Sequence, residues 1–272
     1  MKERIISVDI FRGLTIALMI LVNTPGTWSD VYAPLLHAEW HGYTPTDLVF
    51  PFFLFIVGTS IVFAYRNKSP DKAAYKKISV RTLKLLGLGL FLGAFTVSFP
   101  FIREFADIRF PGVLQRIGVV FFFAAILFLN TNWKTLIGIC VVLLLGYWIW
   151  MGYVPLNGME PTFARAPNNW ANYIDLNVFG THMYKDDYDP EGLLSTLPSI
   201  ATALFGMFTG LILVGKKKNK EWLMCGLGIL LILLGNLWDV VFPINKALWS
   251  SSFVLVTAGW ANFCLLYTSP SP

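Results

Sequence analysis

Apolar residues along this chain come in blocks of about twenty, separated by short polar stretches, and do not alternate in strand fashion. A helix needs roughly 20 residues at 1.5 Å each to cross the hydrocarbon core of a bilayer. Eight segments approach that length, near residues 8–23, 46–66, 78–98, 111–129, 133–151, 194–214, 221–238 and 248–267. The pattern predicts an all-α fold, a polytopic transmembrane helix bundle of about eight spans. The first segment is interrupted by Asp9 and Arg12. It follows MKER with no cleavage-site pattern after it, so it is expected to be a retained span and not a removed signal.

Composition sharpens the membrane reading. Hydrophobic residues make up 56% of the 272 residues, charged residues 14%, and the mean hydropathy is +0.61; soluble domains carry about 25% charged residues. The net charge of +5 is not a nucleic-acid signal, because the cations gather in short loops between apolar blocks. Their natural partners are the anionic headgroups of the lipid bilayer. Lys2 and Arg4 lead the first segment, Arg66, Lys68, Lys72, Lys76, Lys77 and Arg81 follow the second, and Lys216, Lys217, Lys218 and Lys220 follow the sixth. If all eight segments cross, these share one side, which the positive-inside rule makes cytoplasmic. The other side then receives residues 24–45, the loop with Arg103, Glu104, Asp107 and Arg109, and a long polar loop over about 152–191.

That side also receives the chemistry. The stretch LHAEWHGYTPTDLVFPFFLFIVG sets His37, Glu39, His41 and Asp47 against the second apolar block. His37 is one of three histidines; it suits a general base or an acyl-accepting nucleophile, with a carboxylate to fix its tautomer, and equally an interfacial histidine bonded to a carbonyl. Asn23 ends the first block, where an amide could answer a developing oxyanion or cap the helix. Gln115 and Arg116 lie one to two turns into the fourth block, placed to bind a substrate oxygen or to bridge to Asp47 or Glu104. Asp189, Glu191, Ser195 and Thr196 approach the sixth block together and suit an amino sugar or polyol, or a solvated loop and helix cap. Asp9 and Arg12, three residues apart, form either a functional polar patch or a structural ion pair. Cys140, Cys225 and Cys264 lie in apolar blocks without ligand spacing, so neither a disulfide framework nor a metal site is expected. GLGLFLG over residues 87–93 has no strand before it; Gly89/Gly93 and Gly206/Gly210 read as helix-packing faces.

SVDIFRG at residues 7–13, LMILVN at 18–23, LHAEWHG followed by TDLVFPFFLFIVG, LQRIG in the fourth block, DPEGLLSTLP at 189–198 and LWSSSFVLVTAG at 248–259 run in one order along the whole chain. Together they resemble the heparan-α-glucosaminide N-acetyltransferase family, its bacterial members most closely. The resemblance implies a multi-pass acyltransferase of the bacterial cytoplasmic membrane, N-terminus inside. It would take an acetyl group from cytoplasmic acetyl-CoA and deliver it to a glucosamine-type amino-sugar glycan outside. Carried across, the family's active histidine falls on His37 and its active-site asparagine on Asn23; Asp47, Gln115, Arg116, Asp189 and Glu191 become substrate-binding candidates. Asp9 and Arg12 become candidates for the acetyl-CoA end, with Arg4, Arg81 and Lys84 as further phosphate contacts. The family continues through more C-terminal spans, so residues 1–267 are expected to be an incomplete transmembrane acyltransferase domain and 268–272 a non-native tail. A transporter or flippase for a sugar or sugar-linked lipid, and a non-catalytic partner in polysaccharide assembly, are the alternatives; a homodimer is left open.

Overall fold

The computed structural model describes residues 6–215 and 219–268. Lys2, Arg4, Lys216, Lys217, Lys218 and residues 269–272 of the expected tail lie outside them. The described residues form α1 (Ile6–Asn23), α2 (Val49–Tyr65), α3 (Lys72–Ala94), α4 (Val113–Asn130), α5 (Trp133–Tyr153), α6 (Trp170–Phe179), α7 (Thr196–Val214), α8 (Lys220–Asp239) and α9 (Ser251–Tyr267), with short 3₁₀ turns and no named strand. The all-α bundle is as expected, and each apolar block is a helix. The short α6, inside the long polar loop, was not anticipated. It starts where the Asn169 side chain accepts the Ala171 and Asn172 amides, the usual N-cap arrangement.

The span count needs correction. Six helices, among the described residues, are long and apolar enough to cross a membrane, against the eight expected. The α3 helix is diluted by Lys72, Lys76, Lys77, Arg81 and Lys84, and α9, at 17 residues, is short. Even so, eight helices run between the same two ends of the bundle. At one end Asn23, Asp47, Val113, Glu191 and Lys246 line a common cavity. At the other, the Tyr75 hydroxyl donates to Asn130 over 2.7 Å, Thr268 donates to the Ser7 carbonyl, and Tyr65, Asn132, Gly215 and Leu223 border a second hollow.

Burial separates centre from periphery. The span windows of α2 and α7 are 67% and 61% buried, whereas that of α8 is 22% buried. Small residues let the central pair approach: a Cβ on Gly58 would fall 1.8 Å from the Ala203 carbonyl oxygen, and one on Gly206 2.0 Å from that of Phe55. Gly210 meets Val62 in the same seam, and Gly89 faces the Gln115 side chain between α3 and α4, so the expected packing faces are real. Leu233 and Leu237 of α8 point outward, which suits lipid contact.

Candidate functional site

The residues just before α2 build the site. A 3₁₀ turn, Pro45–Leu48, brings Asp47 back toward the preceding loop. The Asp47 carboxylate, 1% exposed, accepts from the Ala38 amide at 3.0 Å, the Thr44 amide at 3.0 Å and the Thr44 hydroxyl at 3.2 Å. Its other oxygen lies 2.6 Å from His37 Nδ1. A carboxylate only accepts, so Nδ1 carries the proton and donates, which leaves Nε2 with its lone pair. The His37 side chain is 50% exposed and borders a cavity of about 380 Å³ at this end of the bundle. An imidazole fixed on one side and open on the other suits a nucleophile or a general base.

Lys246, in the loop between α8 and α9, completes the group. Its Nζ is 3.3 Å from Asp47 Oδ1, 3.0 Å from His37 Nδ1 and 3.4 Å from Nε2. Burial pushes its ammonium below the ordinary lysine range, against the opposing pull of Asp47 and Glu191. Asn23 lines the same cavity; its amide donates to the Met19 carbonyl at 2.8 Å, which takes one of its two N–H groups. The far wall is charged and aromatic. Arg109 holds Asp189 in a fork, 2.8 Å from Nε to Oδ2 and 2.5 Å from Nη2 to Oδ1, and also pairs with Glu191. These carboxylates push the guanidinium above its ordinary range although burial opposes them. Tyr184 lies under the guanidinium, and Trp40 meets Tyr188 edge to face at 5.2 Å.

The expected residues divide accordingly. His37, Asn23, Asp47 and Glu191 are brought together around the cavity. Asp189 is buried behind it, accepting from Arg109 and from the Tyr184 and Glu191 amides, and so orders the loop that carries Glu191. Gln115 and Arg116 are not among the lining residues. Gln115 donates to the Phe110 carbonyl, and Arg116, 2% exposed, donates to Ser195 and the Gly192 carbonyl under Trp249, bridging to neither Asp47 nor Glu104. Asp9 and Arg12 pair at 3.1 Å near the opposite end, where Arg12 also donates to Ser60. Arg81, another candidate there, stacks on Phe121. His41 sits beside Asn245 at 3.4 Å, with its pKa lowered by burial.

Lys246 escaped the sequence reading, since nothing local marks a lone lysine 209 residues from its histidine. A signal was present: it is a cation on the side the charge rule leaves poor in them, set in the apolar run VVFPINKALW.

Fold and site define a multi-pass helical membrane protein whose buried carboxylate orients a histidine toward a cavity at one end of the bundle. A family model described as "Heparan-alpha-glucosaminide N-acetyltransferase, catalytic" matches residues 4–237. The chain is 31% identical to the human heparan-alpha-glucosaminide N-acetyltransferase, with 99% of this chain and 49% of that protein covered. It is 31% identical to the mouse protein of the same name, with 98% and 49% covered. The chain belongs to the heparan-alpha-glucosaminide N-acetyltransferase family, and it spans about half the length of the curated relatives it matches.

Proposed function

We propose that this chain carries the reactive centre of a membrane acetyltransferase that moves an acetyl group from acetyl-CoA to the amine of a glucosamine-type sugar. The observation that carries this reading is the 2.6 Å contact between His37 Nδ1 and buried Asp47, which leaves Nε2 to face the cavity. In the forward step the Nε2 lone pair bonds to the thioester carbon, the C–S bond breaks, and the sulfur leaves as thiolate and takes a proton from water. The sugar amine then bonds to the acetyl carbon, the C–Nε2 bond breaks, and the amine's surplus proton is released through the imidazole. Asn23 has one N–H left to donate to the oxyanion in each tetrahedral state. Glu39 and Glu191 in the cavity wall suit a cationic or hydroxyl-rich acceptor, and the faces of Trp40, Tyr184 and Tyr188 suit the C–H face of a sugar ring. Asp9, Arg12 and the basic end face the cytoplasm in this reading, and the cavity faces outward.

The test uses the full chain in sealed vesicles of known orientation, with radiolabelled acetyl-CoA on one face and a panel of amino sugars on the other. Acetylated sugar is expected only when acetyl-CoA is on the face bearing Lys68. Product formed only when both substrates share a face overturns transfer across the membrane. Passage of unmodified sugar without acetyl-CoA puts the transporter reading in its place.

A further inference from the structure

Lys246 touches the His37–Asp47 pair from an element that plays no part in building it. The pair comes from the loop and turn before α2, whereas Lys246 arrives from the loop after α8, held by Asn245 and Ile244. The Asn245 side-chain oxygen accepts the Leu248 amide, the Asn245 backbone amide donates to the Ser250 hydroxyl, and the Ile244 carbonyl accepts the Gly42 amide at 2.7 Å. The placement of the ammonium is specific. A nitrogen 3.0 Å from Nδ1 and 3.4 Å from Nε2 cannot lie in the ring plane without overlapping the carbon between them, so Lys246 Nζ lies over one face of the imidazole. Asp47 Oδ1, at 3.3 Å, takes one of its three N–H donors.

That position matters for any acyl transfer at Nε2. An acyl carbon bonded to Nε2 lies in the ring plane, and when it becomes tetrahedral its substituents project above and below that plane. One of them is the oxygen that has just received the carbonyl π pair. We propose that Lys246 is a catalytic residue: its ammonium receives the negative charge that forms on the acetyl oxygen when the carbon attached to His37 Nε2 becomes tetrahedral. This rests on the acetyltransferase reading and extends it. The charge appears twice. It forms first as Nε2 adds to the thioester, before the C–S bond breaks, and again as the amine adds, before the C–Nε2 bond breaks. The partly buried ammonium is poorly hydrated, so a charge-assisted hydrogen bond to an oxyanion costs little solvent reorganisation. Lys246 would also select the face from which thioester and amine approach, because the oxygen must lie on the lysine side of the ring.

The experiment measures initial rates of acetyl transfer with the full chain in detergent, varying acetyl-CoA. Lys246→Met is expected to lower kcat by about 10²–10³ with KM for acetyl-CoA changed less than about threefold, as for loss of one oxyanion donor. Lys246→Arg, which keeps the charge, should retain more than Lys246→Met. A second variant guards against misfolding: Lys246→Cys, in a chain with Cys140, Cys225 and Cys264 replaced by Ser, should be slow and regain at least about tenfold in kcat when its thiol is converted to the aminoethyl thioether. Lys246→Met turning over at the wild-type kcat, a loss confined to KM, or full aminoethylation without recovery would each overturn the proposal. Failure of the underlying reading looks different: the wild-type chain itself then transfers no acetyl group.

Discussion

Two charged clusters with buried members lie near the same end of this bundle, and only one opens to a cavity. Around Asp47 each carboxylate oxygen has donors, and the attached His37 opens to a cavity. Around Arg116 the guanidinium is sealed: Nη2 donates to Ser195 and the Gly192 carbonyl, Nε and Nη1 have no hydrogen-bond partner among the described residues, and Trp249 covers its face. Its neighbour Asp175, on α6, accepts the Leu193 amide at 2.7 Å. Burial pushes the Asp175 pKa up to about 7, with Asp189 adding to the rise and the Leu193 amide and Arg116 opposing it. Burial and charge are common to both clusters, whereas a reagent can reach only the first. A buried acid with a raised pKa is therefore weak evidence for catalysis until an opening is found beside it.

The largest effect is expected at His37. His37→Ala should remove transfer by about 10³-fold or more while the protein still elutes as a folded species, since a half-exposed side chain contributes little to packing. Retained activity would move the centre elsewhere. Asp47→Asn comes next. An amide can donate to Nδ1 and turn the ring to the tautomer with hydrogen on Nε2, so transfer should fall by about 10²–10³, measured as kcat per folded molecule.

The sealed cluster should behave in the opposite way. Arg116→Ala is expected to lower stability by about 3 kcal/mol or more, because it empties the space beneath Trp249 and strips Ser195 of its donor. The rate per folded molecule should stay within about threefold of wild type. Thermal unfolding and active-fraction measurements separate the two effects. Asp175 gives a pH signature. Its folded value of about 7 lies above the ordinary 3.8, so between those values the folded state holds a proton that the unfolded state has released. The contribution of this group to stability is therefore full below about pH 4 and is lost as pH rises toward 7. Asp175→Asn should flatten that part of the melting-temperature profile, and an unchanged slope would refute the assignment. The smallest effect belongs to His41→Asn, which should keep most of the transfer rate, because His41 bonds Asn245 and does not line the cavity.

Particular residues show why some of this was legible. His37 and Asp47 stood out because reactive side chains directly before a membrane helix have few structural uses, and the ten-residue separation allows a loop and one turn to join them. Gln115 and Arg116 looked equally eligible. Which face of α4 meets α7 and the loop before it is settled by packing, and that packing turns Arg116 toward Ser195 and away from the cavity.

Sequence alone therefore determined the helical bundle, the helix positions to within a few residues for most blocks, the family, and the loop that brings His37 and Asp47 to the start of α2. The reason is that a bilayer forces every backbone group into local hydrogen bonds, so length and apolarity write the secondary structure directly. Tertiary structure alone decided that Arg116 turns away from the cavity, that Asp189 is buried behind it, and that Lys246 lies over the His37 ring. Those are relations between segments far apart in the chain, set by close helix contacts such as Gly58 on Ala203, and no local pattern encodes them.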